Sequence, residues 1–342
     1  MKYAIALDVG GTFIKSALIS TTGDIVNEAK TASSDVKTPE QMTALITRVI
    51  HEQMDVTPAR AKLVGVGVGS PGPLDPRRGI IFFTPNLPFK KPFHILERLR
   101  ARVKLPVWLQ NDANVAALGE GWQGAGKGTR VLVMYTLGTG IGGGVLIDGK
   151  IFDGAHGQGA ELGHFPLVGT TPNPSSERRG NKSISSPARG EVRRGGSKRG
   201  LRHCGAGHPG CFEAYANSNA LVTYARQAIK GARINDPLDI YRLAQMGHAK
   251  EKSAAKAVFV HYGKILGVAT AYALNVFNPE VILFGGAISG AWEFFGPALI
   301  KEAKRRAFGT IFDQALIKPA ALGNRAGIFG AAKMVFDTYT RR

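Results

Sequence analysis

Cysteine is nearly absent from this 342-residue chain, which holds only Cys204 and Cys211. No multi-disulfide framework can be built from two thiols, and a reducing compartment, a cytosol, is the expected setting. Long hydrophobic runs are also missing. Residues 3–7 form the only apolar stretch before Asp8, far short of a signal-peptide core. The nearest candidates for a membrane span of about 20 residues, 131–147 and 281–300, are interrupted by glycines, and the second also carries Glu293. Both read as buried strands with tight turns, in a soluble chain. Acid is scarce, with 25 Asp and Glu against 44 Lys and Arg, a net charge of +19. That excess favours anionic partners such as nucleotide phosphates, polyphosphate, nucleic acid or acidic membranes, without choosing among them.

Apolar material is ample, at 44% of residues against 20% charged. The length is about twice a typical domain of roughly 150 residues, so two domains sharing a cleft are expected. Residues 3–7 read as a short buried strand and 14–20 as a second, joined by the polar turn 9–12. Apolar residues at Met42, Leu45, Ile46, Val49, Ile50 and Met54 fall at helical spacing, and the strand 63–68 follows. A further strand, 105–109, stops at Asn111-Asp112, and a helix starts over 113–119. Polar groups thus stand at a strand's carboxyl end, where open α/β sheets place ligands. Strands 131–137 and 144–147 flank the glycine-rich stretch 138–143, echoing the first hairpin. Helices over 221–229 and 254–277, a stop at Asn278-Pro279, a strand over 281–284 and a last helix over 327–339 complete the pattern. Two hairpins with glycine loops, each followed by mixed strands and helices, predict a duplicated α/β unit in two lobes.

Residues 177–202 break this pattern. They carry nine Lys and Arg against Glu177 and Glu191, with many Gly and Ser and no apolar period, as a mobile basic loop would. Without that segment's +7 the chain still holds +12, so the basic character belongs to the whole molecule. The segment lacks interleaved aromatics for stacking on bases, and a solvated loop is favoured over a nucleic-acid site.

Two glycine turns carry the chemistry. Asp8-Val9-Gly10-Gly11-Thr12, with Lys15 beyond it, sets a carboxylate beside glycines whose backbone N–H groups can approach a phosphate. Gly138-Thr139-Gly140 supplies a second turn of the same kind, and together they can grip a polyphosphate from opposite lobes.

The ordered segments DVGGTFIK (8–15), SPGPLD (70–75), NDANVAALGE (111–120), TLGTGIGGG (136–144), ELGH (161–164), GCFEAYA (210–216) and NPEVILFGG (278–286) resemble sugar kinases of the ROK family, in the actin-like ATPase superfamily. The resemblance runs from Ala4 to Ala332, the basic insert apart. It implies an α/β, two-lobed actin-like (ribonuclease H-like) ATPase fold with the active site in the interdomain cleft. The smaller lobe would hold 1–110 with 317–342 and the larger 111–316, the latter with a basic flexible insertion at about 170–202. It further implies a cytoplasmic homodimer using ATP and Mg²⁺, most simply a glucokinase acting on the 6-hydroxyl of glucose. Fructose, mannose, N-acetylmannosamine and N-acetylglucosamine stay open as acceptors, and polyphosphate as donor. The family also includes sugar-responsive regulators with an N-terminal DNA-binding domain; with the phosphate loop starting at residue 8 no such domain is expected, and a regulator lacking it is the less favoured alternative.

Residue by residue, the resemblance makes Asp112 the general base, with Asn111, Asp112, Glu161, His164 and Glu213 as sugar contacts and Gly72 and Asn86 as weaker ones on neighbouring loops. Gly10, Gly11, Thr12, Lys15, Gly138, Thr139 and Gly140 would meet the phosphates, and Gly285 and Gly286 the adenosine side. Asp8 would hold Mg²⁺ through water. Family members often bind structural Zn²⁺ through the E-x-G-H histidine and three cysteines. Here Arg202 stands at the first cysteine's place and two extra residues separate Cys204 from Cys211. His164, Cys204 and Cys211 remain as ligands, with His203 or His208 as the fourth.

Overall fold

The computed structural model describes residues 1–84, 87–167 and 201–340. Asn86 and most of the basic insert therefore lie outside the described residues. The first half runs β1 (Lys2–Val9), β2 (Phe13–Ser20), β3 (Ile25–Ala32), α1 (Pro39–Asp55), β4 (Lys62–Ser70), the short strands β5 (Leu74–Asp75), β6 (Ile80–Ile81) and β7 (Phe93–His94), α2 (Ile95–Arg100) and β8 (Val107–Asn111). After α3 (Asp112–Gln123) come β9 (Leu132–Leu137), β10 (Ile141–Ile147), β11 (Lys150–Ile151), α4 (Phe212–Ala216), α5 (Ser218–Ala228), α6 (Pro237–Met246), α7 (Ala249–Phe277) and β12 (Val281–Gly285). The chain ends with α8 (Trp292–Arg306), α9 (Gly309–Phe312), β13 (Leu316–Pro319) and α10 (Ala326–Tyr339).

The duplication anticipated from the two hairpins is visible in the strand order. One five-stranded sheet runs β3-β2-β1-β4-β8 and the other β11-β10-β9-β12-β13. In each, the first two pairings are antiparallel and the last two parallel. Because β1, β4 and β8 are parallel, their carboxyl ends line up: Asp8 lies opposite Gly69, and Ser70 opposite Asn111. The same rule brings Thr136 opposite Gly285 in the other sheet. Asp8, Asn111 and Gly285 thereby stand at the carboxyl ends of their parallel strands.

Local chemistry fixes the helix starts. Thr38 and Gln41 form a capping box ahead of Pro39 in α1, and Asp236 with Asp239 does the same for α6. The Asn111 side chain accepts from Ala113 and Asn114 N–H groups, so α3 begins at Asp112. Helices α3 and α10 cross where only glycine fits: a Cβ on Gly330 would overlap the Val115 carbonyl, and one on Gly119 the Ala326 carbonyl. Buried Glu120 closes the same junction by accepting from the N–H groups of Ala125, Ala321 and Leu322.

The sequence reading needs three corrections here. Residues 281–300 are not strands with turns throughout, because only Val281–Gly285 is extended and α8 begins at Trp292. Its buried stripe, Phe295, Leu299 and Ala303, packs at helical spacing into the core shared with α7. The glycine loop of the second hairpin is 138–140 only. Gly142 to Gly144 are strand residues whose Cβ positions are taken by Ala113, Thr136, Ala117 and Leu162. Third, β13 pairs with β12, so the chain leaves the second sheet after Pro319, not at 317. Helix α7 is long and apolar enough to cross a membrane, yet 61% of its most apolar window is buried inside the molecule.

Candidate functional site

Asp112 is the first residue of α3 and faces a cleft lined by Leu74, Asn111, Asp112, Gly142, Gly143 and Glu161, drawn from both halves of the chain. Burial, with Asp8 and then Glu161 as negative neighbours, pushes its carboxyl up to about 6, against the pull of hydrogen bonds from nearby backbone N–H groups. A carboxylate at that value is half-ionised near pH 6 and can take a proton at neutral pH.

Asp8 and Lys15 are cross-strand partners in the β1–β2 register, and their side chains pair at 3.2 Å. The intervening turn is held by Gly10 N–H on Phe13 O, by Ser33 N–H on Thr12 O and by the Ser33 hydroxyl on Gly10 O at 2.8 Å. In the second turn the carbonyl of Gly138 accepts the N–H and the hydroxyl of Ser218, the latter at 2.7 Å. The N–H groups of Gly11, Thr12, Thr139 and Gly140 have no acceptor among the described residues, so both turns keep free donors for an anion. Neither serine was legible as part of the site, since nothing in the sequence ties residue 33 or 218 to a glycine loop.

Gly286 has φ 85° and its Cβ would run into Leu137, which sets the 285–286 turn against the second hairpin. Beside it opens an apolar cavity of about 500 Å³ whose lining includes Ser218, Leu238, Tyr241, Phe259, Ile288 and Ala291. It is the size of a small-molecule pocket and adjoins the second turn. Its apolar residues have the spacing of ordinary core, so the sequence reading missed them.

Glu213 is buried, and its carboxylate spans two segments: one oxygen accepts from Ile141 N–H at 3.1 Å, the other from Gly205 N–H at 2.9 Å. It thereby braces the second turn from a residue distant in sequence. Glu161 is half-exposed at the cleft, with its carboxyl raised by partial burial and by Glu213, and lowered by His164. Gly72 lies against the Asn111 side chain, on the loop before β5. Asn86 is outside the described residues.

His164, Cys204, His208 and Cys211 bring their ligand atoms within 4.8 Å of one another. His208 completes the group and His203 does not. The Nδ1 atom of His164 is buried without a hydrogen-bond partner among the described residues, and burial with the neighbouring Cys204 thiol pushes Cys211 up to about 11. Two imidazoles and two thiols of this spacing fit a tetrahedral cation, which would satisfy the orphaned nitrogen and favour thiolates. Arg202, at the position of a missing cysteine, turns away, with its guanidinium 4.7 Å from the Tyr224 ring centroid and 5.5 Å from that of Tyr215.

The ROK family model matches residues 4–338. The glucokinase of Thermotoga maritima is 32% identical over 346 residues, covering 97% of this chain and 96% of that protein. The crystal structure of a ROK hexokinase from Thermus thermophilus superposes with a TM-score of 0.76 at 28% identity, covering 99% of this chain and 100% of that one. A ROK family glucokinase from Streptomyces griseus, in complex with glucose and AMPPNP, does so at 0.72 and 28% identity, over 98% of this chain and 99% of that one. The two-lobed actin-like fold read from the motifs is the fold of this molecule, and the chain belongs to the ROK family.

Proposed function

We propose that this protein is an ATP-dependent hexose kinase that transfers the γ-phosphoryl group to the 6-hydroxyl of glucose. The observation that carries the reading is a half-buried carboxylate, Asp112, raised to about 6 in a cleft lined by both halves of the chain, in a fold whose two glycine turns keep free backbone donors. The glucokinase names of full-length relatives support the acceptor and the donor.

In this reading the glucose sits against Asn111, Asp112, Glu161, His164 and Glu213, with Gly72 on the flanking loop. Asp112 accepts the proton of the 6-hydroxyl as that oxygen bonds to the γ-phosphorus and the bond to the β-phosphate oxygen breaks. The proton then passes to solvent, leaving ADP and glucose 6-phosphate. Gly10, Gly11, Thr12 and Lys15 from one side and Gly138, Thr139 and Gly140 from the other hold the triphosphate, and free N–H groups stabilise its developing charge. Asp8 would hold Mg²⁺ through water, and the ion supplies charge neutralisation on the phosphates. Gly285 and Gly286 lead into Ala287, in the lining of the apolar cavity that would receive the adenosine. Closure of the smaller lobe on the larger excludes water, so ATP is not lost to hydrolysis.

His164, Cys204, His208 and Cys211 would hold Zn²⁺, which orients the His164 ring and braces the segment leading to Glu213. Metal analysis of the purified protein should find one zinc per chain, lost in Cys204→Ser. The reading includes a cytosolic homodimer, supported by exposed Tyr272, Val276 and Phe308, which lie close together through the Phe308 N–H bond to Asn275. Light scattering checks it.

The test is an assay of purified protein against a panel of hexoses, with MgATP and polyphosphate as donors. Glucose with MgATP should give the highest kcat/KM. A preference for N-acetylmannosamine, fructose or polyphosphate would redirect the substrate assignment, and no transfer to any hexose would overturn the reading.

A further inference from the structure

Gln110, the residue two before the proposed base, is 4% exposed and sits on the face of β8 opposite to Asn111. Its Oε1 accepts the backbone N–H of Asn111 at 2.7 Å and faces the Asn114 amide at 3.4 Å. Its Nε2 donates to Asp153 Oδ1 at 2.8 Å. Asp153 belongs to the other half of the molecule, in the loop that leaves β11 and returns through Glu161 to the cleft. From the first half, Arg77 reaches across to the Ala155 carbonyl at 3.2 Å, and Pro76 fills the space a Cβ on Gly157 would occupy. Two hydrogen bonds and a van der Waals contact thus tie the halves together behind the cleft.

We propose that Asp153 is a positioning residue for Asp112, acting through the Gln110 amide; this rests on the kinase reading above. A primary amide can turn over, presenting either its oxygen or its NH₂ to a neighbour. A carboxylate only accepts, so Asp153 holds the NH₂ end and leaves Oε1 for the Asn111 N–H. Asn111 in turn caps α3 at Ala113 and Asn114, which sets where Asp112 stands. Without an acceptor at 153 the amide is free to rotate and set donor against donor at Asn111. Partial burial raises the Asp153 carboxyl, with Gln110 and then Arg77 pulling it back, as befits a carboxylate kept in a costly place by its partners. Since Asp153 and Gln110 come from opposite halves, the aim of Asp112 is tied to how those halves meet.

The test compares Asp153→Leu, Asp153→Asn, Gln110→Leu and the double leucine variant in full-length protein. Each leucine variant should lower kcat about 10-fold while the KM for ATP stays within about twofold. The double variant should be no worse than either single, and Asp153→Asn, which keeps an oxygen acceptor, should retain at least about half the activity. Independently of activity, hydrogen exchange at the Asn111 amide should speed up roughly 10-fold in the leucine variants and not in Asp153→Asn. Multiplying single effects, an asparagine variant as impaired as the leucine one, or unchanged exchange at Asn111 would overturn the proposal. If the wild type phosphorylates no hexose the kinase reading fails, and the exchange measurement still decides whether the relay exists.

Discussion

The two glycine turns have the same architecture and opposite ways of acquiring charge. The first, between β1 and β2, brings its own ions: the register places Asp8 across from Lys15, and both belong to one short motif. The second, between β9 and β10, has no charged residue and borrows a carboxylate from Glu213, through the Ile141 N–H. Each is nevertheless anchored alike, by a distant serine hydroxyl on the carbonyl of its first glycine, Ser33 on Gly10 and Ser218 on Gly138. A duplicated scaffold thus keeps its backbone device in both copies, while the ionic chemistry is local in one and assembled across the fold in the other.

Asp112 stands outside this asymmetry, since it faces the cleft whichever turn grips the phosphates. Asp112→Asn should lower kcat by about 10²- to 10⁴-fold. It should also raise the melting temperature at neutral pH, because it removes a carboxylate whose ionisation is opposed by burial and by Asp8. The sign follows from linkage. A carboxyl raised from 3.8 to about 6 binds its proton more tightly in the folded state, so its contribution to stability falls as pH rises between those values. Activity runs the other way: kcat/KM should drop about 10-fold per pH unit below pH 6, read from a rate profile corrected for unfolding.

Exchanging charge for neutrality at each turn sharpens the comparison. Glu213→Gln leaves either Ile141 or Gly205 facing an NH₂ group, which should cost about 1–3 kcal/mol of stability and raise the KM for ATP, by denaturant titration and kinetics. Lys15→Met removes a partly exposed ion pair, so it should leave stability within about 1 kcal/mol while still weakening ATP binding. Equal destabilisation by the two would erase the distinction between a borrowed and a self-supplied charge. Ser33→Ala and Ser218→Ala should each cost about 1 kcal/mol of stability, in close to equal amounts. Unequal losses would show that the anchors are not equivalent.

The same asymmetry explains what could be read from the sequence. Asp8, the glycines and Lys15 fall within one segment, 8–15, and Asn111-Asp112 follows a strand whose end had to be polar, so the first turn and the proposed base could be picked out from a few residues. Glu213, Ser33 and Ser218 reach their partners only after the sheets are assembled, across separations that no periodicity records. The lining of the apolar cavity was hidden for another reason, because Leu238, Tyr241, Phe259 and Ile288 satisfy helix and core patterns as well as a pocket's. Helix α8 was obscured by the glycines that precede it. The choice between His203 and His208 turned on the hairpin that joins Arg202 to Gly210 and Cys204 to His208, which spacing alone leaves open.

The most direct measurement is a crystal structure of the protein with glucose, Mg²⁺ and a non-hydrolysable ATP analogue. The account predicts the triphosphate between residues 10–12 and 138–140, and the glucose 6-hydroxyl within hydrogen-bond distance of the Asp112 carboxylate. A triphosphate held by only one turn, or a sugar whose 6-hydroxyl faces away from Asp112, would contradict it.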